Sequence, residues 1–113
     1  MIFMSSKVLV IIATGEKEKA LAGLMYASNA LKFGWLEDLK VVLFGPSERL
    51  IVQDEQVWKE AKYISEMIGI LACKAVSDEY DSSKELEKRG VKVEYVGGII
   101  SDFIKDGYVP MVW

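Results

Sequence analysis

The run VLVIIA at residues 8–13 is apolar at every position and is followed at once by Thr14 and Gly15. A strand with one solvent-exposed face alternates polar and apolar residues, whereas an unbroken apolar run is typical of a strand that is covered on both faces. Residues 41–44 (VVLF) and 70–73 (ILAC) repeat this pattern. The three runs therefore predict three interior strands of a parallel sheet.

The segments between these runs have helical spacing. A first helix fits residues 16–33, and Gly34 is the expected residue just beyond its end. Asp54 is expected to cap a second helix that ends at Gly69. Residues 48–52, which lie between the second strand and Asp54, are expected to form a surface excursion over the end of the sheet.

The third run is followed by a less regular segment. Ser77 precedes two acidic residues, a pattern typical of a helix N-cap. We expect the helix that begins there to be irregular at residues 81–83 (DSS) and to stop at Gly90. A short fourth helix is predicted at residues 101–105.

Two further strands have the character of sheet edges. Residues 92–96 (KVEYV) alternate polar and apolar, as a half-exposed strand does, and residues 108–113 (YVPMVW) contain Pro110, which cannot donate to a ladder hydrogen bond. Strands one to three should therefore lie inside, with strands four and five at the edges. The prediction is a single α/β domain over residues 1–113, a three-layer α/β/α sandwich with a five-stranded parallel sheet and right-handed crossovers.

The composition argues against several classes of function. The net charge of -3 gives no basic surface for nucleic acid. No apolar run reaches the roughly 18–20 residues needed to span a bilayer. Residues 1–6 lack the basic region and the long apolar stretch of a signal peptide. We therefore expect a cytoplasmic protein with no nucleic-acid or membrane partner.

The chain has no histidine and a single cysteine, Cys73. The missing histidine removes the commonest general base and metal ligand, and with it every Cys–His or Ser–His catalytic pair. One cysteine cannot supply an intramolecular disulfide, a Cys-rich zinc site or an iron–sulfur cluster within one chain. No metal and no cofactor is therefore assigned.

Ligands of open parallel sheets bind beyond the carboxyl ends of the strands. Four loops are predicted there, at residues 14–15, 45–47, 73–74 and 97–98. Cys73 ends an interior strand just before a helix, and the ammonium of neighbouring Lys74 would favour the nucleophilic thiolate. The negative charges of Asp78 and Glu79 would instead disfavour the thiolate of Cys73. The alternative interpretation is that Cys73 is a small buried packing residue.

Thr14 and Gly15 stand between the first strand and the first helix, where backbone N–H groups can hold an anion. The segment matches neither GxxxxGK[ST] nor GxGxxG, so an ordinary βα turn is the plainer interpretation. Gly45 and Ser47, on either side of Pro46, are interpreted in the same way.

Three segments resemble the DsrE/DsrF-like family of small sulfur-relay proteins, in its archaeal and thermophile branch. They are residues 42–47 (VLFGPS), 72–78 (ACKAVSD) and 93–99 (VEYVGGI), together with the strand at 107–113. The resemblance implies five parallel strands in an α/β/α sandwich and a cysteine at the end of strand three, where Cys73 stands, that carries sulfane sulfur as a persulfide or thiosulfonate. It also implies oligomers, often trimers or trimer-based hexamers. The second cysteine of some relatives is missing.

The leading hypothesis is a sulfurtransferase-like sulfur carrier. Cys73 would take sulfur from a donor and pass it to a thiol on another protein or small molecule. The residues expected to bind the transferred group or to shape the mouth of the pocket are Lys74, Thr14, Gly15, Gly45 and Ser47. Two alternatives stay open: a non-catalytic module that binds a small anion, nucleotide or flavin in the same crevice, and a structural subunit without chemistry of its own.

The carboxyl-terminal strand also suggests how the chain assembles. It is apolar and ends in Trp113, which in a monomer would leave aromatic surface exposed. We therefore expect a homo-oligomer, with a contact through residues 108–113 or through the face of strand four.

Overall fold

The computed structural model describes residues 6–113 and contains five strands and six helices. The strands are β1 (Lys7–Ile12), β2 (Asp38–Leu43), β3 (Leu71–Cys73), β4 (Lys92–Glu94) and β5 (Val109–Val112). The helices are α1 (Lys17–Phe33), α2 (Ser47–Gln53), α3 (Glu55–Ile68), α4 (Lys74–Glu79), α5 (Ser83–Lys88) and α6 (Val96–Lys105). Within residues 6–113, no helix is long and apolar enough to cross a membrane. Residues 1–5, on which most of the signal-peptide interpretation rests, lie outside the described residues.

The predicted sheet is confirmed, with five parallel strands in the order β4-β3-β2-β1-β5. The three unbroken apolar runs form the interior strands, because only there are both faces of a strand covered by helices. Pro110 lies opposite Leu9 in the edge strand β5, where one side of the strand needs no ladder donor. The molecule is a three-layer α/β/α sandwich.

The two faces of the sheet are covered unequally. Val8, Val10 and Ile12 point into a large cluster with residues of α1, α3 and α5, on what we call the α1 face. Leu9 and Ile11 point into a smaller cluster with residues of α6, on the α6 face. Strands β1 to β4 are added in one direction, so right-handed connections place the intervening helices mainly on one face. The connection from β4 back to β5 contains α6, which is therefore the main cover of the opposite face of the sheet.

Several predicted boundaries are confirmed. Asp54 caps α3, since its Oδ1 accepts hydrogen bonds from the N–H groups of Gln56 at 3.0 Å and Val57 at 3.1 Å. Gly34 ends α1 in a left-handed conformation with φ 61°. The irregularity expected near residue 81 is a break between α4 and α5, where Asp81 has φ 54°.

The expected surface excursion at residues 48–52 is wrong, because this segment belongs to helix α2. Gly45, with φ 98°, lets the chain turn sharply off β2 into that helix. Ser47, Glu48 and Ile51 then share one side of the helix and are buried. Packing of α2 against α3, α4 and α5 decides the conformation of this segment.

Two helices begin earlier than predicted. α4 begins at Lys74 immediately after Cys73, so Ser77 is not an N-cap. Ser77 is buried within α4, and its Oγ donates to the Lys74 carbonyl oxygen at 3.3 Å. α6 begins at Val96 rather than at residue 101, which places residues 97–98 in its first turn instead of in a loop.

Trp113 is partly buried, because its ring packs against the rest of the chain. Its ring stacks on that of Tyr26 with centroids 5.8 Å apart, and it joins the cluster on the α1 face. The apolar surface that β5 exposes includes Val109 and Val112, which are 57% and 63% exposed.

Candidate functional site

Cys73 is the last residue of β3 and the residue from which α4 begins. Its side chain lies on the α6 face, in a buried cluster that includes Val42 of β2 and Val96 of α6. The thiol is free, and the residue is 6% exposed. This position is the one predicted from the sequence, at the carboxyl end of an interior strand.

Glu48 is the residue that the sequence interpretation missed. It lies in the first turn of α2 and is 0% exposed, which is rare for a carboxylate. Its Oε2 accepts a hydrogen bond from the Gly45 N–H at 3.1 Å. The backbone N–H of Cys73 faces the same carboxyl group. No residue between 6 and 113 gives Oε1 a well-formed hydrogen bond.

The protonation of Glu48 follows from this setting. Burial raises the pKa of Glu48 to about 7, while the N–H groups of Gly45 and Cys73 act in the opposite direction. The carboxyl group can therefore exchange a proton near neutral pH, next to the backbone of Cys73.

The signal that could have found Glu48 is its spacing. Ser47, Glu48 and Ile51 stand at positions that one side of a helix would share, directly after the turn residues Gly45 and Pro46. With that helix assigned, a charged side chain on its apolar side would have been noticed. The sequence alone does not show that α3, α4 and α5 close over it.

Lys74 points its charge along α4. Its Nζ lies 2.8 Å from Asp78 Oδ2, and this hydrogen bond raises the pKa of the Lys74 ammonium. The same Nζ lies 6.0 Å from the centroid of the Tyr95 ring. A partly exposed ammonium already paired with a carboxylate has less effect on a neighbouring thiol.

The loops that carry Thr14, Gly15, Gly45 and Ser47 are packed against each other. A Cβ at Gly15 would stand 3.0 Å from the Pro46 Cβ, and one at Gly45 would stand 3.4 Å from the Ala13 carbonyl oxygen. Ser47 Oγ donates to the Ile12 carbonyl oxygen. Through Gly45 and Glu48 this pair of loops is tied to Cys73.

Many polar groups in the turn between β1 and α1 already take part in hydrogen bonds within the protein. The N–H groups of Ala13 and Thr14 donate to the Trp113 carbonyl oxygen at 2.6 and 3.2 Å. The Glu16 N–H donates to Thr14 Oγ1 at 3.0 Å. These bonds leave fewer backbone donors for an anion than the sequence suggested. Between residues 6 and 113, no group of three or more His, Cys, Asp or Glu side chains is placed to hold a metal ion.

The start of α6 borders the same site. Val96 shares the buried cluster of Cys73. The next two residues, Gly97 and Gly98, are exposed, and no atom of residues 6–113 lies within 4 Å of a Cβ built on either. Among the described residues no side chain caps this end of α6, and its first turn has no acidic residue. The first turn of α6, near Cys73, therefore has open space beside it and backbone N–H groups that no described side chain caps.

Comparison with known proteins identifies the fold but not a family. No family model and no curated protein matches the chain. The structure is similar to that of the conserved protein of unknown function BT1422 from Bacteroides thetaiotaomicron, with a TM-score of 0.82 and 24% identity over 95% of each chain. A likeness at this level of identity concerns the fold alone.

Proposed function

We propose that the protein is a sulfur carrier that holds sulfane sulfur on Cys73, as its resemblance to the DsrE/DsrF-like family implies. The observation that carries the proposal is the placement of the only thiol of the chain. Cys73 ends an interior strand at the carboxyl edge of the sheet, and its backbone N–H faces the buried carboxyl group of Glu48. The thiolate of a cysteine is the nucleophile in sulfur exchange and can carry a second sulfur atom.

The chemistry is a thiol–persulfide exchange. The Cys73 thiolate attacks the outer sulfur of a donor R–S–SH, so that a new S–S bond forms on Cys73 as the donor S–S bond breaks and RS⁻ leaves. With thiosulfate as donor, the leaving group is sulfite. The chain has no second cysteine to resolve the adduct, so the sulfur must leave to a thiol on another molecule.

The setting of the thiol suits a held intermediate. Cys73 is almost fully buried among apolar side chains, which shield a persulfide from bulk water and from larger thiols. The uncapped first turn of α6 provides backbone N–H groups that an anionic donor can meet as it approaches. The paired N–H groups of the Thr14 turn support a carrier over the alternative of an anion-binding or flavin-binding module.

We also propose that the carrier is a homo-oligomer. Val112 lies opposite Ile11 and therefore on the α6 face, where it is 63% exposed at the open edge of β5. One helix gives this face most of its cover, and a second copy that packs on the β5 edge would shield both the apolar residues and the unpaired strand.

Intact-mass measurement after exposure to polysulfide, thiosulfate and tetrathionate tests the carrier function. We expect the wild-type protein to gain mass in sulfur-sized steps with a sulfane donor, and a thiol reductant to reverse the gain. Cys73→Ala should gain nothing. A wild-type protein that stays unmodified with every donor would remove the proposal and leave a structural subunit as the remaining interpretation.

A further inference from the structure

The α6 face of the sheet is partly open near the amino ends of β2, β3 and β4. A parallel sheet is ordinarily covered by helices on both faces. On this face the main cover is α6, which has 10 residues and is therefore only about 15 Å long. A cavity of about 230 Å³ remains there, and the side chains that line it include Lys40, Ile68, Leu71, Lys92 and Phe103.

The cavity has an apolar floor. Leu71 of β3 packs only partly buried against the cluster on the α6 face, and Ile68, the last residue of α3, is 41% exposed. Phe103 of α6 adds an aromatic ring, which lies with its centroid 5.1 Å from that of Tyr108. A cavity of about 150 Å³ holds one benzene molecule. The larger volume here therefore has room for a ring-sized apolar body and a small polar group.

Two lysines flank this floor. Lys92 of β4 lies directly opposite Leu71 in the sheet. Lys40 lies in β2, the neighbouring strand on the other side of β3, and its Nζ is 6.0 Å from the centroid of the Phe103 ring. The charged side chains that line the cavity within residues 6–113 are these two, and both are positive. The charge of the cavity therefore complements an anion.

The two ammonium groups are only weakly engaged within the chain. Lys40 Nζ lies 3.4 Å from Asp38 Oδ2, and Lys92 Nζ lies 3.4 Å from Glu94 Oε1. Strong charge-assisted hydrogen bonds are shorter, at about 2.7–2.9 Å, and partly exposed ion pairs contribute little to stability. Asp38 also accepts a hydrogen bond from the Tyr108 hydroxyl group, so it keeps a partner when Lys40 turns toward a ligand.

We propose that this cavity binds a small monocarboxylate with an apolar body. The carboxylate lies between Lys40 and Lys92, and the apolar body covers Leu71 and the Phe103 ring. A small anion without such a body would leave the floor exposed, and a neutral molecule would gain nothing from the two cations. The inference goes beyond the proposed sulfur-carrier function and does not depend on it, because Cys73 lies at the opposite end of β3.

Nuclear magnetic resonance of the nitrogen-15-labelled protein tests the site, with benzoate as the probe because it joins one ring to one carboxylate. We expect benzoate at millimolar concentration to shift the amide signals of Gly69, Leu71 and Lys92 to a plateau. Benzyl alcohol has the ring without the charge, and acetate has the charge without the ring. Each should bind about tenfold more weakly than benzoate or less tightly still.

Two lysine variants test the recognition of the charge. Lys40→Gln and Lys92→Gln should each weaken benzoate binding about fivefold, because each removes one cation from a partly exposed site. Lys59→Gln is the matched control, since it makes the same change at an exposed position of α3, which packs on the α1 face. It should bind benzoate as the wild type does. The amide spectrum of each variant shows whether it is folded, and the comparison of the three probes needs only the wild type.

Three results would overturn the inference. The first is a wild-type protein in which benzoate gives no saturable shift at these amides. The second is binding of benzyl alcohol as tight as that of benzoate, or benzoate binding that both cavity variants retain in full, because the anion would then not be recognised. The third is a shift of the same amides with protein concentration and not with benzoate, which would assign the cavity to a second copy of the chain. None of these results bears on sulfur loading of Cys73.

Discussion

At the scale of single residues, Glu48 links the stability of the fold to pH. Its pKa of about 7 in the folded protein lies above its ordinary value of 4.5 because burial disfavours the charged form. Between these values the folded protein holds a proton that the unfolded chain has lost. The stabilising contribution is therefore complete below pH 4.5 and disappears as the pH rises through 7.

The loss of this stabilising contribution with rising pH can be measured. Between pH 5 and pH 8, the wild type should lose on the order of 2–3 kcal/mol more unfolding free energy than Glu48→Gln, because the amide does not titrate. Urea denaturation at several pH values measures the difference, and all other titrating groups are common to both proteins. Parallel curves for the two proteins would mean that Glu48 is ionised throughout.

At the scale of an element, α1 is fitted to the sheet by a glycine in its middle. A Cβ at Gly23 would lie 2.5 Å from Ile12 Cδ1 and 2.8 Å from two ring atoms of Trp113. The helix can approach β1 and Trp113 this closely only without a side chain there, which explains why a residue of low helix propensity occupies a helix interior.

We expect Gly23→Ala to destabilise the protein by about 1–3 kcal/mol, because the steric overlap outweighs the gain of roughly 1 kcal/mol in helix propensity. Gly98→Ala is the matched control. Gly98 lies in α6, and no atom of the described part of the chain lies within 4 Å of the added Cβ, so this change should leave stability unchanged or raise it slightly. Thermal unfolding of the two variants compares them directly. Equal effects would mean that α1 can shift away from the sheet without cost.

At the scale of the whole molecule, the sheet is thinly covered on the α6 face and open at β5. The proposed homo-oligomer predicts a mass above that of one chain by light scattering at micromolar concentration. Val112→Lys should shift the protein toward the monomer, since a charged residue on an edge strand opposes association. Met67→Lys places the same charge at a residue of α3 that is 60% exposed and should leave the mass unchanged. A wild-type monomer would contradict the proposal.

The sequence by itself determined which strands lie inside the sheet and which lie at its edges, because the kind of residue that a strand contains depends on how many of its faces are covered. Residues 8–13, 41–44 and 70–73 had to be interior, and Pro110 had to be at an edge. The position of Cys73 at the carboxyl edge followed from the same pattern. Single residues also determined where α1 ends, at Gly34, and where α3 begins, after its cap at Asp54.

Only the tertiary structure decided what surrounds the thiol. Glu48 looks like a surface residue in the sequence, since a carboxylate is buried only when distant elements close over it, and α3, α4 and α5 are placed there by the sheet. Its nearness to Cys73 joins residues far apart in the chain. The direction of Lys74 was open for the same kind of reason, because α4 begins earlier than predicted and turns the ammonium toward Asp78. Sequence patterns report how well each segment is covered, whereas side-chain partners depend on which segments the fold brings together.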